Sequence, residues 1–158
     1  MEFELILKVL RALADEQVRY RIVGGVALNF WGLARATVDL DIFVAPDEAN
    51  IARLRAALDA VFNDPEIDQI TAGDLSGAYP AIQYVPPDGP FHIDILARLG
   101  ERFTFEDIES EELEVEGVPV HVATPRMLYR MKKDTVRLQD RADADRLRKH
   151  YQLEDEEG

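Results

Sequence analysis

The residues best placed to do chemistry are Asp39 and Asp41, in the apolar run Val38-Asp39-Leu40-Asp41-Ile42-Phe43-Val44. Side chains alternate along a strand, so two residues two apart share one face. Aspartate is a poor strand former, and two carboxylates side by side repel unless a cation lies between them. A divalent metal answers that need. Two carboxylates suit magnesium, which keeps octahedral oxygen coordination and completes it with water and substrate phosphates. Upstream, Gly24-Gly25 closes a short apolar strand and opens an apolar helical segment. Without side chains the backbone comes close to a ligand, and amides at a helix start attract anions. Each piece alone has a plainer reading, Gly-Gly as a turn and Asp-x-Asp as a solvated strand face. Together, in this order and with 13 residues between Gly25 and Asp39, they read as a metal–phosphate site.

This arrangement resembles the DNA polymerase β-type nucleotidyltransferase superfamily: Gly-Gly, a spacer, then Asp-Leu-Asp followed by apolar residues. That superfamily expects a third carboxylate on a later strand, and Phe91-His92-Ile93-Asp94-Ile95-Leu96 supplies Asp94. Toward the C-terminus, Met131-Lys132, Arg137, Gln139-Asp140, Asp143 and Leu147 are similar to the "Met-Lys…Arg-x-Lys-Asp-x-x-Asp" helix of small bacterial nucleotidyltransferases related to abortive-infection toxins. The chain departs from the pattern at Gln139, where lysine is common. It departs also at Gly25, where many members have serine and so place a hydroxyl on the phosphates.

The resemblance implies a metal-dependent enzyme that moves a nucleoside monophosphate from an NTP to a hydroxyl. Asp39, Asp41 and Asp94 would be the catalytic and metal residues, holding two Mg2+ ions, with Mn2+ as a substitute. Asp94 would also take the hydroxyl proton, and the amides of Gly24 and Gly25 would hold the β- and γ-phosphates. Lys132 and Arg137 are candidates to neutralise triphosphate charge, against a plainer reading as surface ion pairs with Asp140 or Asp143. The resemblance places an arginine and a small hydroxyl just before the aspartate pair, which makes Arg35 and Thr37 nucleotide-binding candidates. The acceptor is a protein, a tRNA or a small molecule, and an antitoxin or other partner protein fits a toxin–antitoxin component. The alternative is a non-catalytic member of the fold that binds a nucleotide or a partner. Retention of all three carboxylates argues against it. His92 shares a face with Asp94, as a neighbour of the metal site or a bystander. Phe30 and Trp31 read as core rather than base-stacking residues, and His121 and His150 have no partner legible in the sequence.

The elements that must position these groups follow from periodicity. Phe3, Ile6, Leu7, Leu10, Leu13 and Ala14 lie at helical spacing, which predicts an amphipathic helix over 3–15. A strand over 19–23 runs into Gly24-Gly25 and a helix ending near Gly32, followed by a strand over 37–44. Asp47 is a plausible N-cap for a helix over 48–62 with Ile51, Leu54, Leu58 and Val61 as its apolar stripe. Residues 63–74 read as polar and turn-rich. A strand over 79–85 and the Asp94 strand form an antiparallel hairpin across Pro86-Pro87-Asp88-Gly89-Pro90. Strands over 113–115 and 118–122 flank a turn at Glu116-Gly117. Thr124-Pro125 then opens a helical region, expected to break near 138–139.

These elements predict an α+β fold: a small, mixed, mostly antiparallel sheet with helices packed on it. We expect one nucleotidyltransferase domain over 1–153, with a core over 1–123 and a helical region over 124–153, and an acidic tail at 154–158. The 158 residues are enough for a substantial core. The net charge of −13 is uneven: residues 126–149 carry a net +5, and residues 101–116 hold eight acidic side chains. Nucleic-acid binders show a basic footprint, so bulk nucleic-acid binding is disfavoured, although the local basic stretch suits a phosphate-rich ligand. There is no cysteine, which excludes disulfides and thiolate metal sites. No apolar run approaches the ~20 residues of a membrane span and no signal peptide is evident, so the expected location is the cytoplasm, with no membrane partner.

Overall fold

The pairing of two apolar strands brings the candidate carboxylates together. In the computed structural model, which describes residues 3–33, 39–76, 81–87, 91–99, 103–132 and 148–149, strand β2 (Leu40–Val44) lies parallel to β4 (Ile93–Leu96). On its other side β2 pairs antiparallel with β1 (Tyr20–Val23). Beyond these, β3 (Ala81–Tyr84) pairs antiparallel with β4, β8 (Val118–Ala123) runs parallel to β1, and β7 (Ser110–Val115) closes the other edge. The six strands run in the order β3-β4-β2-β1-β8-β7. The sheet is mixed and mostly antiparallel, as expected. A separate two-stranded ladder of β5 (Arg98–Leu99) and β6 (Phe103–Thr104) was not predicted. Strands of two residues are too short to show a period.

One face of β2 and β4 is fully apolar. Leu40, Ile42 and Val44 of β2 and Ile93 and Ile95 of β4 are all 0% exposed, and each buried side chain of this size contributes about 1.5–3 kcal/mol. They belong to one core with Leu10 and Leu13 of α1 (Phe3–Asp15) and Ile51, Leu54 and Leu58 of α3 (Glu48–Phe62). The predicted stripe of α1 shifts slightly: Val9 is buried in it while Phe3 is half exposed. Val61, expected in the α3 stripe, is only partly buried, and Asn50 and Ala57 are buried there instead.

Local signals set the helix ends. Asp47 caps α3, its carboxylate accepting from the Asn50 amide at 3.0 Å. Asn50 is wholly buried and its side chain is fully used. Its Oδ1 accepts from the Arg19 amide at 2.7 Å, and its Nδ2 donates to the carbonyls of Arg19 at 3.0 Å and Ala45 at 2.8 Å. One side chain thus ties α3 to the start of β1 and the end of β2. Thr124 caps α5 (Pro125–Lys132), accepting from the Met127 amide at 3.2 Å. Residues 63–74, expected to be polar and turn-rich, hold a 3-10 turn over Pro65–Gln69 and most of the short helix α4 (Ala72–Leu75). Buried Ile67, Ile70 and Leu75 explain the difference, since they join the core from within a polar stretch. The predicted break near 138–139 falls outside the described residues.

Candidate active site

The site lies where β1 ends, β2 begins and β4 begins. Asp41 stands directly opposite Val23 of β1 and directly opposite Asp94 of β4. Residues opposite one another share a face with their Cβ atoms about 5 Å apart, so the two carboxylates emerge together. Asp39 precedes β2 by one residue and keeps the alternation with Asp41; β2 starts at Leu40, and residues 37–38 of the expected strand lie outside the described ones. The Leu40 amide donates to the His92 carbonyl at 3.2 Å, continuing the β2–β4 ladder to the Asp39 level. Asp39 is 30% exposed and Asp94 35% exposed, so both meet solvent at the strand ends.

Gly24 begins α2 (Gly24–Phe30) directly after β1, with a positive φ of 71°. A Cβ on Gly24 would overlap the Asp41 carboxylate, lying 3.0 Å from its Cγ and 3.1 Å from its Cβ. Glycine is therefore required twice here, by backbone conformation and by the approach of Asp41. Gly25 follows inside the helix and is buried. The Gly-Gly turn and the aspartate pair, separate in sequence, are one structure.

His92 is the residue whose importance spacing alone did not reveal. Its ring Nδ1 lies 3.0 Å from Asp39 Oδ1 and its Nε2 3.2 Å from Asp94 Oδ2. Its backbone N–H also donates to Asp39 Oδ1 at 3.3 Å. The alternation of His92 with Asp94 was visible in sequence, but not that the ring would reach Asp39 across the strand pair. Among the other predicted residues, Arg35, Thr37 and Arg137 lie outside the described ones. Lys132 ends α5, with its side chain outside what the structure describes. Trp31 is half-buried and its Nε1–H donates to the Ala123 carbonyl at 2.7 Å, joining the end of α2 to the end of β8. That supports its reading as a packing residue. His121, which had no partner legible in the sequence, packs its ring edge-to-face against Tyr20, with centroids 5.6 Å apart.

Among the described residues no group of three or more His, Asp or Glu is arranged to hold a metal ion. The donors nonetheless suit magnesium, which prefers hard carboxylate oxygens and takes its remaining ligands from water and substrate. Three part-exposed carboxylates on neighbouring strands, next to a glycine that leaves room for the backbone, are compatible with such an open site.

Residues 8–151 match the sequence model of the nucleotidyl transferase AbiEii toxin family, of type IV toxin–antitoxin systems. No protein of curated function matches the chain. Solved structures share its fold. The antibiotic-resistance factor ANT(2″)-Ia, determined in complex with adenylyl-2″-tobramycin, aligns with a TM-score of 0.57 at 15% identity, covering 94% of this chain and 88% of that one. JHP933 from Helicobacter pylori aligns with a TM-score of 0.54 at 19% identity, covering 94% of this chain and 65% of that one. A nucleotidyltransferase candidate from Thermotoga maritima gives 0.53 at 14% identity, covering 94% of this chain and 91% of that one. At these identities the likeness establishes the shared fold.

Proposed function

Because the chain belongs to the nucleotidyl transferase AbiEii toxin family of type IV toxin–antitoxin systems, and is thus a nucleotidyltransferase, we propose that Asp39, Asp41 and Asp94 are its catalytic carboxylates. We propose further that it transfers a nucleoside monophosphate from an NTP to an acceptor hydroxyl. The observation that carries this reading is the register Asp41↔Asp94, with Gly24 packed against the Asp41 carboxylate. It supports the reading because the Gly24-Gly25 turn then lies beside carboxylates from two strands.

Magnesium, or manganese in its place, held by Asp39, Asp41 and Asp94 would activate the hydroxyl and relieve charge on the pyrophosphate. The chain's own residues do the rest. Gly24 and Gly25 let the backbone approach the β- and γ-phosphates without a side chain in the way. Asp94 accepts the proton as the acceptor oxygen bonds to the α-phosphorus and the bond to the β-phosphate oxygen breaks. Lys132 and Arg137 balance triphosphate charge, with Arg35 and Thr37 as further contacts to the nucleotide. Fixing reactants in line supplies much of the rate, since positioning removes entropy from the barrier.

The net charge of −13 disfavours tRNA as acceptor relative to a protein or a small molecule. The family supports an antitoxin as partner and the cytoplasm as location. None of the helices among the described residues is long and apolar enough to cross a membrane. The alternative is a non-catalytic nucleotide- or partner-binding member of the same fold, against which the presence of all three carboxylates argues. Thermal unfolding with magnesium and each NTP tests the first reading on wild type and Asp41→Asn. A stabilisation that requires both metal and nucleotide and vanishes in the variant is expected, together with pyrophosphate release once an acceptor is supplied. Nucleotide-dependent stabilisation without pyrophosphate release across acceptor pools would establish the second reading instead.

A further inference from the structure

His92 has no part in the reaction above, yet its ring nitrogens lie 3.0 Å from Asp39 and 3.2 Å from Asp94. We propose that His92 is a positioning residue whose ring holds the place between Asp39 and Asp94 until nucleotide-bound metal arrives. The nucleotide-free site would then bind free divalent cation weakly. This inference rests on the nucleotidyl-transfer reading of Asp39, Asp41 and Asp94.

The geometry carries it in three ways. The two ring nitrogens face different carboxylates, Asp39 at 3.0 Å and Asp94 at 3.2 Å, so one ring bridges residues from two strands. A ring N–H and a metal ion compete for the same carboxylate lone pairs, and the tautomer decides which ring nitrogen carries that N–H, the one facing Asp39 or the one facing Asp94. The backbone of His92 is anchored as well, its N–H donating to Asp39 and its carbonyl accepting from Leu40. The ring's reach is therefore set by the register of β2 and β4. At 25% exposure the side chain has solvent on one side, which gives it a direction in which to turn aside.

These contacts predict an order of binding. A bare cation offers Asp39 and Asp94 only an exchange of partners. A metal–nucleotide complex adds phosphate oxygens to the metal shell and contacts along Gly24-Gly25, so it displaces the ring where the bare ion does not. Removing the ring removes that competitor for the Asp39 and Asp94 oxygens, and neighbouring like charges favour a cation.

The test is manganese binding to the full chain, followed by the electron paramagnetic resonance of free Mn2+, with and without a non-hydrolysable NTP analogue. Relative to wild type, His92→Ala is expected to bind free Mn2+ about tenfold more tightly, with His92→Gln between the two, because its amide replaces one of the two contacts. Affinity for Mn2+ in the presence of the analogue is expected to change by less than about threefold. Equal or weaker binding of free Mn2+ by His92→Ala, with analogue-dependent binding still lost in Asp41→Asn, would overturn this proposal and leave the nucleotidyl-transfer reading intact. No Mn2+ bound by any form, with or without analogue, would overturn both. Ring 15N resonances of the wild type give a readout that needs no variant to fold. The His92 signals should stay in place with Mg2+ alone and move with Mg2+ plus analogue, and movement with Mg2+ alone would refute the proposal.

Discussion

The two faces of β2 and β4 are built from alternating residues of the same two strands and do different work. Leu40, Ile42, Val44, Ile93 and Ile95 point into the core at 0% exposure. Between them, Asp41 and Asp94 point the other way, partly exposed and directly opposite one another. Burying five such aliphatic side chains is worth on the order of 10 kcal/mol before entropy. A pair of facing like charges costs about 0.2–1 kcal/mol. The core face therefore dominates the energetics and holds the carboxylates where they would not place themselves. Strand pairing is stabilised on one side so that repulsion can be tolerated on the other.

Substitutions on each face should separate the two roles. The largest effect is expected for Asp41→Asn: transfer falls by about 10^3-fold, about 4 kcal/mol of transition-state stabilisation, while the melting temperature holds or rises as repulsion is relieved. Pyrophosphate release and thermal unfolding on the same preparation check both halves, and a marked loss of stability would contradict the division between faces. Ile95→Ala, one residue along, should do the reverse. It should cost about 2–5 kcal/mol in denaturant unfolding and leave the turnover of the remaining folded protein near wild type.

Gly24→Ala joins the two faces. The positive φ of 71° and the overlap with Asp41 should cost about 1–2 kcal/mol and reduce transfer at least about tenfold. A fully active, fully stable variant would show that the close approach of Asp41 has no functional role. A smaller effect is expected at Tyr84, whose buried hydroxyl donates to Asp64 Oδ2 at 2.8 Å. Here a buried carboxylate is met by a neutral donor rather than by other carboxylates. Burial and the Asp64 hydrogen bond push the Tyr84 hydroxyl upward from its ordinary range. Tyr84→Phe should cost about 1 kcal/mol of stability, with no change in metal-dependent nucleotide binding by calorimetry.

The core face also has a pH signature. Burial pushes Tyr20 from the ordinary phenol value of 10.0 to about 12. A raised phenol favours the neutral folded form, so its contribution is full below about pH 10 and is lost as pH rises toward about 12. Denaturant midpoints across that window should fall more steeply for wild type than for Tyr20→Phe. Parallel curves would remove Tyr20 as the cause.

Features carried by neighbours in the chain were legible without a structure. Helix α3 starts and stops where Asp47 and the stripe of Ile51, Leu54 and Leu58 require, because capping and periodicity are encoded within a few residues. The same holds for Thr124-Pro125 at the start of α5 and for the Glu116-Gly117 turn, where Gly117 takes the positive φ of 79° that glycine allows, although Glu116 beside it takes 51°, a value a side chain rarely adopts. The types and spacing of Gly24-Gly25, Asp39 and Asp41 were enough to name a chemistry, and Asp94 was identified as a third carboxylate only through a resemblance.

Tertiary structure alone decided who faces whom. No local pattern states that β4 pairs parallel with β2, so that Asp94 comes opposite Asp41 rather than one residue along. A slip of one residue would have sent Asp94 into the core face. The reach of the His92 ring to both Asp39 and Asp94, and the seat of Gly24 against Asp41, follow from that same register. The physical reason is range: turn chemistry and periodicity act between near neighbours, whereas register is selected by burying the apolar faces of distant segments together.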